Sequence, residues 1–211
     1  MNRIVVVTGA SGGLGCALVR EFAAHEWQVV ATGRSARPQG IAETTYHQFD
    51  ASDPTAADTF WQELKSKYPN IEPCLVNNAG GYIGGTLLDT TPADFDQQMK
   101  SNYFSAVYMT RGLAAVYDKA RIINVISSSA LGALAKDIAY GASKAAEKHF
   151  FQSLQQEFGP DMYHITNLYP NNISAEQAPG AMTTTDLAQF IRTQAEQTTS
   201  LYLRDATIYP R

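Results

Sequence analysis

With 211 residues, 45% of them hydrophobic and 17% charged, the chain is long enough to bury one substantial core and short for two, so one domain over residues 1–211 is expected. A formal net charge of -4, without any cluster of Lys and Arg, argues against a nucleic-acid partner. Two cysteines outside any C-x-x-C spacing and four scattered histidines give no metal-binding pattern, and no segment approaches the roughly 20 apolar residues of a membrane span, so a metal-free cytoplasmic protein is expected.

The apolar, β-branched run 4–7 is strand-length and breaks at Thr8-Gly9, too short for the apolar core of a leader peptide. A glycine-rich turn follows and leads into Leu14, Ala17, Leu18 and Phe22, whose spacing makes one apolar helix face. Residues 28–32, 45–49 and 73–76 predict three more strands, and 54–68 predicts a helix with Asp53 as N-cap and Pro54 in its first turn. The stretch 92–117 is helical with a break, 121–126 is a fifth strand, and 138–158 is a helix stopped by Gly159-Pro160. Strand 164–169, helix 186–197 and strand 206–209 complete the chain, with no internal repeat or linker-like tract. Strand and helix alternate throughout, which predicts an α/β protein: a Rossmann-type, doubly wound, mainly parallel sheet of about seven strands with helices on both faces.

Residues 8–15, Thr-Gly-Ala-Ser-Gly-Gly-Leu-Gly, join the first strand to the first helix. Glycines there permit a tight turn and close approach of backbone to a pyrophosphate, and the free N–H groups of the helix N-terminus supply donors. Gly9, Ser11, Gly12, Gly13, Leu14 and Gly15 are therefore expected to hold a dinucleotide. At the end of the second strand such folds place an acid for a ribose hydroxyl or an arginine for a 2′-phosphate; here the text is Thr32-Gly33-Arg34-Ser35, which points to NADP(H) over NAD(H), with Arg37 as a possible helper.

Five further pieces align. Asn77-Asn78-Ala79-Gly80 follows the fourth strand, Asp50 follows Phe49, Tyr140 and Lys144 stand in a Y-x-x-x-K spacing, Ser127 lies thirteen positions before Tyr140, and Asn102 sits in Ser101-Asn102-Tyr103. Together with the glycine turn these resemble the short-chain dehydrogenase/reductase family over roughly residues 3–170. The resemblance implies that Asp50, Asn78, Ala79 and Gly80 serve the adenosine side of the cofactor, and that Asn102, Ser127, Tyr140 and Lys144 form the catalytic set. It also implies that Lys144 holds the nicotinamide ribose.

The chemistry of these residue types agrees. Side chains four apart on a helix share a face, and an ammonium close to a phenol favours the phenolate, so Tyr140 can act as general acid in carbonyl reduction and general base in alcohol oxidation. A serine at a strand's C-terminal end can hydrogen-bond the reacting oxygen; Ser127 comes first for that place and Ser128 second.

Two departures stand out. Relatives carry Pro-Gly and then a threonine after the sixth strand, where this chain has Pro170-Asn171-Asn172-Ile173-Ser174; Pro170 and Ile173 remain the expected backbone partners of the carboxamide, with Ser174 the nearest hydroxyl. The following segment, about 175–185, is a short lid. It and the loops 81–87 and 131–137 carry few charges, which suits a modest, uncharged carbonyl compound or alcohol. The resemblance further implies a homodimer or homotetramer built on helices at about 100–118 and 138–158, where Tyr103, Phe104, Tyr108, Phe150 and Phe151 equally suit the chain's own core. Two functions remain open: catalysis, favoured by Tyr140 and Lys144, and a catalytically weak NADP(H)-binding regulatory or scaffold role, favoured by the altered 170–172 loop. Nucleotide-sugar chemistry is disfavoured, since those relatives are longer and space their glycines differently.

Overall fold

A computed structural model of the protein describes residues 3–38, 45–159, 161–197 and 201–211; Pro160 of the expected helix stop lies outside them. The elements run β1 (Ile4–Val7), α1 (Gly13–Ala24), β2 (Gln28–Gly33), β3 (Thr45–Gln48), α2 (Pro54–Lys67), β4 (Cys74–Asn77), α3 (Pro92–Gln98), a π-helical segment (Met99–Phe104) and α4 (Ser105–Val116). Then come β5 (Ala120–Val125), a 3-10 turn (Ser128–Ala130), α5 (Ile138–Glu157), β6 (Tyr163–Pro170), β7 (Ile173–Ser174), β8 (Met182–Thr183), α6 (Thr184–Ala195) and β9 (Asp205–Ile208).

Seven strands form one parallel sheet in the order β3-β2-β1-β4-β5-β6-β9. The winding direction reverses between β1 and β4, so the loops that leave their C-terminal ends part and open a crevice there. Parallel sheets are covered on both faces, and β1 shows it residue by residue. Val5 and Val7 pack with Leu18, Phe22, Leu187 and Ile191 of α1 and α6, whereas Ile4 and Val6 pack with Phe60, Trp61, Met109, Leu113 and Phe151 of α2, α4 and α5. Phe151 thus belongs to the chain's own core. Among the described residues no helix is long and apolar enough to cross a membrane.

A polar line crosses this apolar sheet. Asn77, Asn124 and Asn167 are buried and stand in register on β4, β5 and β6, with Asp205 next in line on β9. Asn77 Nδ2 donates to Asn124 Oδ1 (2.9 Å), Asn124 Nδ2 to Asn167 Oδ1 (2.8 Å), and Asn167 Nδ2 to Asp205 Oδ1 (3.3 Å). Each amide donates to the next, so removing the middle one leaves Asn167 Oδ1 without its donor and one hydrogen of Asn77 Nδ2 without an acceptor, its other hydrogen going to Thr110 Oγ1 (3.1 Å). Asn124→Leu is therefore expected to lower unfolding free energy by about 2–4 kcal/mol in urea titration; a loss below about 0.5 kcal/mol would contradict the ladder's structural role.

Local chemistry explains the element ends. Asp53 caps α2 as its carboxylate accepts from Thr55 N and Ala56 N, with Pro54 in the first turn. The helix α6 starts two residues before the expected 186, because the Thr183 hydroxyl accepts from Asp186 N (3.0 Å) and donates to the Asp186 carboxylate (2.7 Å). The expected break within 92–117 is the π-helical segment, an extra residue per turn that is frequent at functional sites and here carries Asn102. The two-residue strands β7 and β8 pair in parallel and were not predicted; β8 and the start of α6 take up 182–185, leaving 175–181 as the loop.

Candidate active site

The β1–α1 turn needs its glycines for stated geometric reasons. Gly9 holds φ at +64°, and a Cβ on Gly15 would stand 2.1 Å from Gly9 O and 2.8 Å from Ala10 Cα. The N-cap of α1 is Gly12, which brings no side-chain acceptor, so the first N–H groups of the helix are left to an anion. Thr8 ties this turn to the next strand: its hydroxyl accepts from Asn78 N and Ala79 N (both 2.9 Å), while Asn78 Nδ2 donates to Thr8 O (2.9 Å). That knot explains why Asn78 follows β4 where it does, and sequence reasoning had missed Thr8.

These loops wall a cleft of about 630 Å³. Gly9, Ser11, Gly12, Gly13, Leu14, Gly15, Arg34, Asp50, Asn78, Ala79 and Gly80 all line it, so the residues expected on the phosphate and adenosine sides are gathered in one place. Arg34 forms no ion pair among the described residues, and its backbone carbonyl accepts from Gln48 Nε2 (3.0 Å). The Asp50 carboxylate accepts from Ser52 N (3.0 Å) and Ser52 Oγ (2.8 Å), which fixes its direction. Arg37 is exposed and does not line the cleft. The opposite wall, Asp96, Gln97 and Lys100, went unpredicted, although the i, i+1, i+4 spacing of these polar residues marks one helix face.

Gly80 links the cleft to the second group of residues. A Cβ there would meet Asn102 Oδ1 at 2.6 Å and Lys144 Nζ at 3.8 Å. Asn102 is fully buried; its Oδ1 accepts from Gly81 N (2.8 Å) and its Nδ2 donates to Gly81 O (3.1 Å) and Ser143 Oγ (2.9 Å). The π-helical residue thereby clamps the loop after β4 onto α5. Lys144 is buried as well and donates to Val125 O (3.2 Å) and Glu147 Oε2 (2.7 Å), and no hydrogen bond joins it to Tyr140 among the described residues. Tyr140 sits in the first turn of α5 with its ring edge-on to Tyr82, centroids 5.0 Å apart. The Tyr82 phenol donates to Asp137 (2.8 Å), and that hydrogen bond, ahead of burial, pushes the phenol above its ordinary range.

The three serines after β5 separate by their partners. Ser129 donates to Asp137 (3.0 Å), and Ser128 Oγ accepts from Asn171 Nδ2 (3.2 Å). Ser127 Oγ accepts from Ser129 N (3.1 Å) and its own hydrogen has no acceptor among the described residues. Asn171 therefore does more than replace a glycine, since it anchors the 170–172 loop on Ser128. Pro170 ends β6, and Ile173, exposed in β7, does not line the cleft.

The sequence matches the short chain dehydrogenase family over residues 3–192. The chain belongs to that family. Among curated short-chain dehydrogenase relatives, it is 30% identical over 200 residues to "Dehydrogenase/reductase SDR family member 7B" of Bos taurus, a match covering 86% of this chain and 61% of that one. It is also 30% identical over 187 residues to the "NADPH-dependent 1-acyldihydroxyacetone phosphate reductase" of Saccharomyces cerevisiae, covering 84% of this chain and 63% of that one. The chain thus spans about three fifths of the length of these two short-chain dehydrogenases. Among solved structures, a metagenomic short-chain oxidoreductase in complex with NADP superposes with a TM-score of 0.85 at 26% identity, covering 99% of this chain and 97% of that one. The alcohol dehydrogenase of Thermococcus sibiricus complexed with 5-hydroxy-NADP reaches a TM-score of 0.89 at 18% identity, over 99% and 97% of the two chains, and shows the shared fold.

Proposed function

We propose that this short-chain dehydrogenase is an NADP(H)-dependent carbonyl reductase or alcohol dehydrogenase with Tyr140 as general acid and base. The observation that carries the reading is the placement of Tyr140 one turn before Lys144, whose ammonium lies beside Gly80 at the edge of the glycine-lined cleft. The cleft fits a dinucleotide: its turn has no room for a Cβ at Gly15, its helix N-terminus is uncapped, and Arg34 brings a guanidinium that no carboxylate satisfies among the described residues. The yeast relative's name and the NADP in the metagenomic structure support the same cofactor.

When bound, NADPH supplies the hydride. Tyr140 gives its phenolic proton to the carbonyl oxygen during reduction and takes the hydroxyl proton during oxidation. Ser127, with its hydrogen uncommitted, donates to that same oxygen. Lys144 supplies positive charge close by, Asn102 fixes the loop and helix against each other, and Pro170 presents backbone to the carboxamide side. The 175–181 loop acts as the substrate lid. Tyr103, Phe104, Tyr108 and Phe150, half-buried and in ring contact across the π-helical segment, α4 and α5, form the face of a homodimer or homotetramer.

The cofactor assignment is tested at Arg34. Arg34→Asp is expected to lower kcat/KM with NADPH about 10–100-fold, the value of charge-assisted hydrogen bonds to a phosphate, and to leave NADH turnover close to wild type. Equal losses with both cofactors would remove Arg34 from 2′-phosphate recognition.

A further inference from the structure

The helix α5 buries Ala139, Ser143, Lys144, Glu147 and Phe151 on one face, and Glu147 is the anomaly among them. Its side chain is 2% exposed, and carboxylates are almost never buried so completely without a partner. The partner is Lys144, three residues before it, at 2.7 Å. A buried ion pair is a poor source of stability, because an apolar pair of similar volume commonly serves as well or better, so stability alone does not account for a carboxylate here.

The geometry around Lys144 suggests what it does. An ammonium has three N–H donors. One goes to Val125 O at the end of β5 and one to Glu147, which leaves the third for the side of Gly80, where the cleft opens. Glu147 therefore holds the ammonium in place and offsets part of its charge. The groups that face Glu147 are Lys144 on its own helix and Tyr169 on β6, whose phenol donates to Asp205 of β9 (2.5 Å). Burial pushes the Glu147 carboxyl above the usual carboxylate range, and the Lys144 ammonium pulls it back. Burial, with the hydrogen bond to Asp205 next, pushes the Tyr169 phenol up as well, so Tyr169 keeps its proton and Lys144 is the positive member of the set.

We propose that Glu147 is a positioning residue of this enzyme: it holds the Lys144 ammonium between β5 and the cleft and sets how much of its charge acts on Tyr140. The assignment rests on the reading of Tyr140 as the proton donor. Its test reads Tyr140 directly, through the titration of the 13Cζ resonance that is missing from Tyr140→Phe, in wild type, Glu147→Gln, Glu147→Met and Glu147→Asp. With the carboxylate gone the ammonium acts uncompensated, so both charge-free variants are expected to titrate about one pH unit lower, the effect of a unit charge about 10 Å away along a helix at an effective dielectric of about 20. The acid limb of the alcohol-oxidation pH profile is expected to move by the same amount, and Glu147→Asp, which keeps the charge, is expected to restore most of the wild-type midpoint. An unmoved midpoint in a folded charge-free variant overturns the proposal, as does an equal shift in Glu147→Asp. Failure of both charge-free variants to fold would make the residue purely structural and overturn it too. A midpoint that shifts in a protein with no turnover on any aldehyde, ketone or alcohol would instead sink the proposed function and leave the coupling of Glu147 to Tyr140 standing.

Discussion

Replacing Tyr140 with phenylalanine is expected to cut turnover about 10²–10⁴-fold while leaving NADPH affinity almost unchanged. The substitution removes one oxygen and keeps the ring, so the edge-on contact with Tyr82 at 5.0 Å survives and α5 has no reason to move. What disappears is the group proposed to deliver the proton. Ser127 can still hydrogen-bond the reacting oxygen, and the cleft that holds the dinucleotide is untouched, which is why a residual rate is expected and a binding defect is not. Steady-state rates and a fluorescence titration of NADPH on one preparation check both halves. Turnover equal to wild type would remove Tyr140 from the chemistry.

The second large effect lies at the glycine turn between β1 and α1. Gly15→Ala is expected to weaken NADPH binding at least about 100-fold, a change of roughly 2.7 kcal/mol, and to destabilise the fold by about 1–3 kcal/mol through overpacking. The atoms a new Cβ would strike, Gly9 O at 2.1 Å and Ala10 Cα at 2.8 Å, are backbone and cannot rotate aside as a side chain would. The turn itself must deform, and with it the N–H groups of α1. A folded Gly15→Ala protein that binds NADPH as wild type does would show that the turn does not hold the cofactor.

How much of this was legible in the sequence depends on whether the signal was local. The parallel sheet was legible because each strand carries its own apolar run, and α2 because Asp53 and Pro54 announce its start. Boundaries slipped where a cap decided them, as at Thr183 for α6. The break before α4 was visible as interrupted periodicity, but its π-helical character depends on Asn102 reaching Gly81 and Ser143, contacts 21 and 41 residues away. Strands β7 and β8 are two residues each, too short to leave any period.

The site divides along the same line. The glycine turn, Arg34 and Asp50 follow strand ends, and the fold brings them into one cleft as their positions imply. The choice among Ser127, Ser128 and Ser129 turns on Asn171 and Asp137, neither of which a reading of the serines alone would consult. Glu147 was in plain view as an acid three residues after Lys144, yet such a pair reads as a solvated surface bridge until burial is known. Its position on the Ala139, Ser143, Phe151 face of α5 was the available signal.

Hydride transfer is read most directly by isotope labelling. Wild-type protein is supplied with NADPH deuterated at C4, on either face in separate reactions, and a panel of uncharged aldehydes and ketones, and the products are analysed by mass spectrometry. One of the two cofactors is expected to yield alcohol carrying a single deuterium on the former carbonyl carbon, and Tyr140→Phe to lose nearly all of it. NADPH that binds tightly yet passes no deuterium to any compound of the panel would rule out carbonyl reduction and favour a protein that holds the cofactor without turning it over.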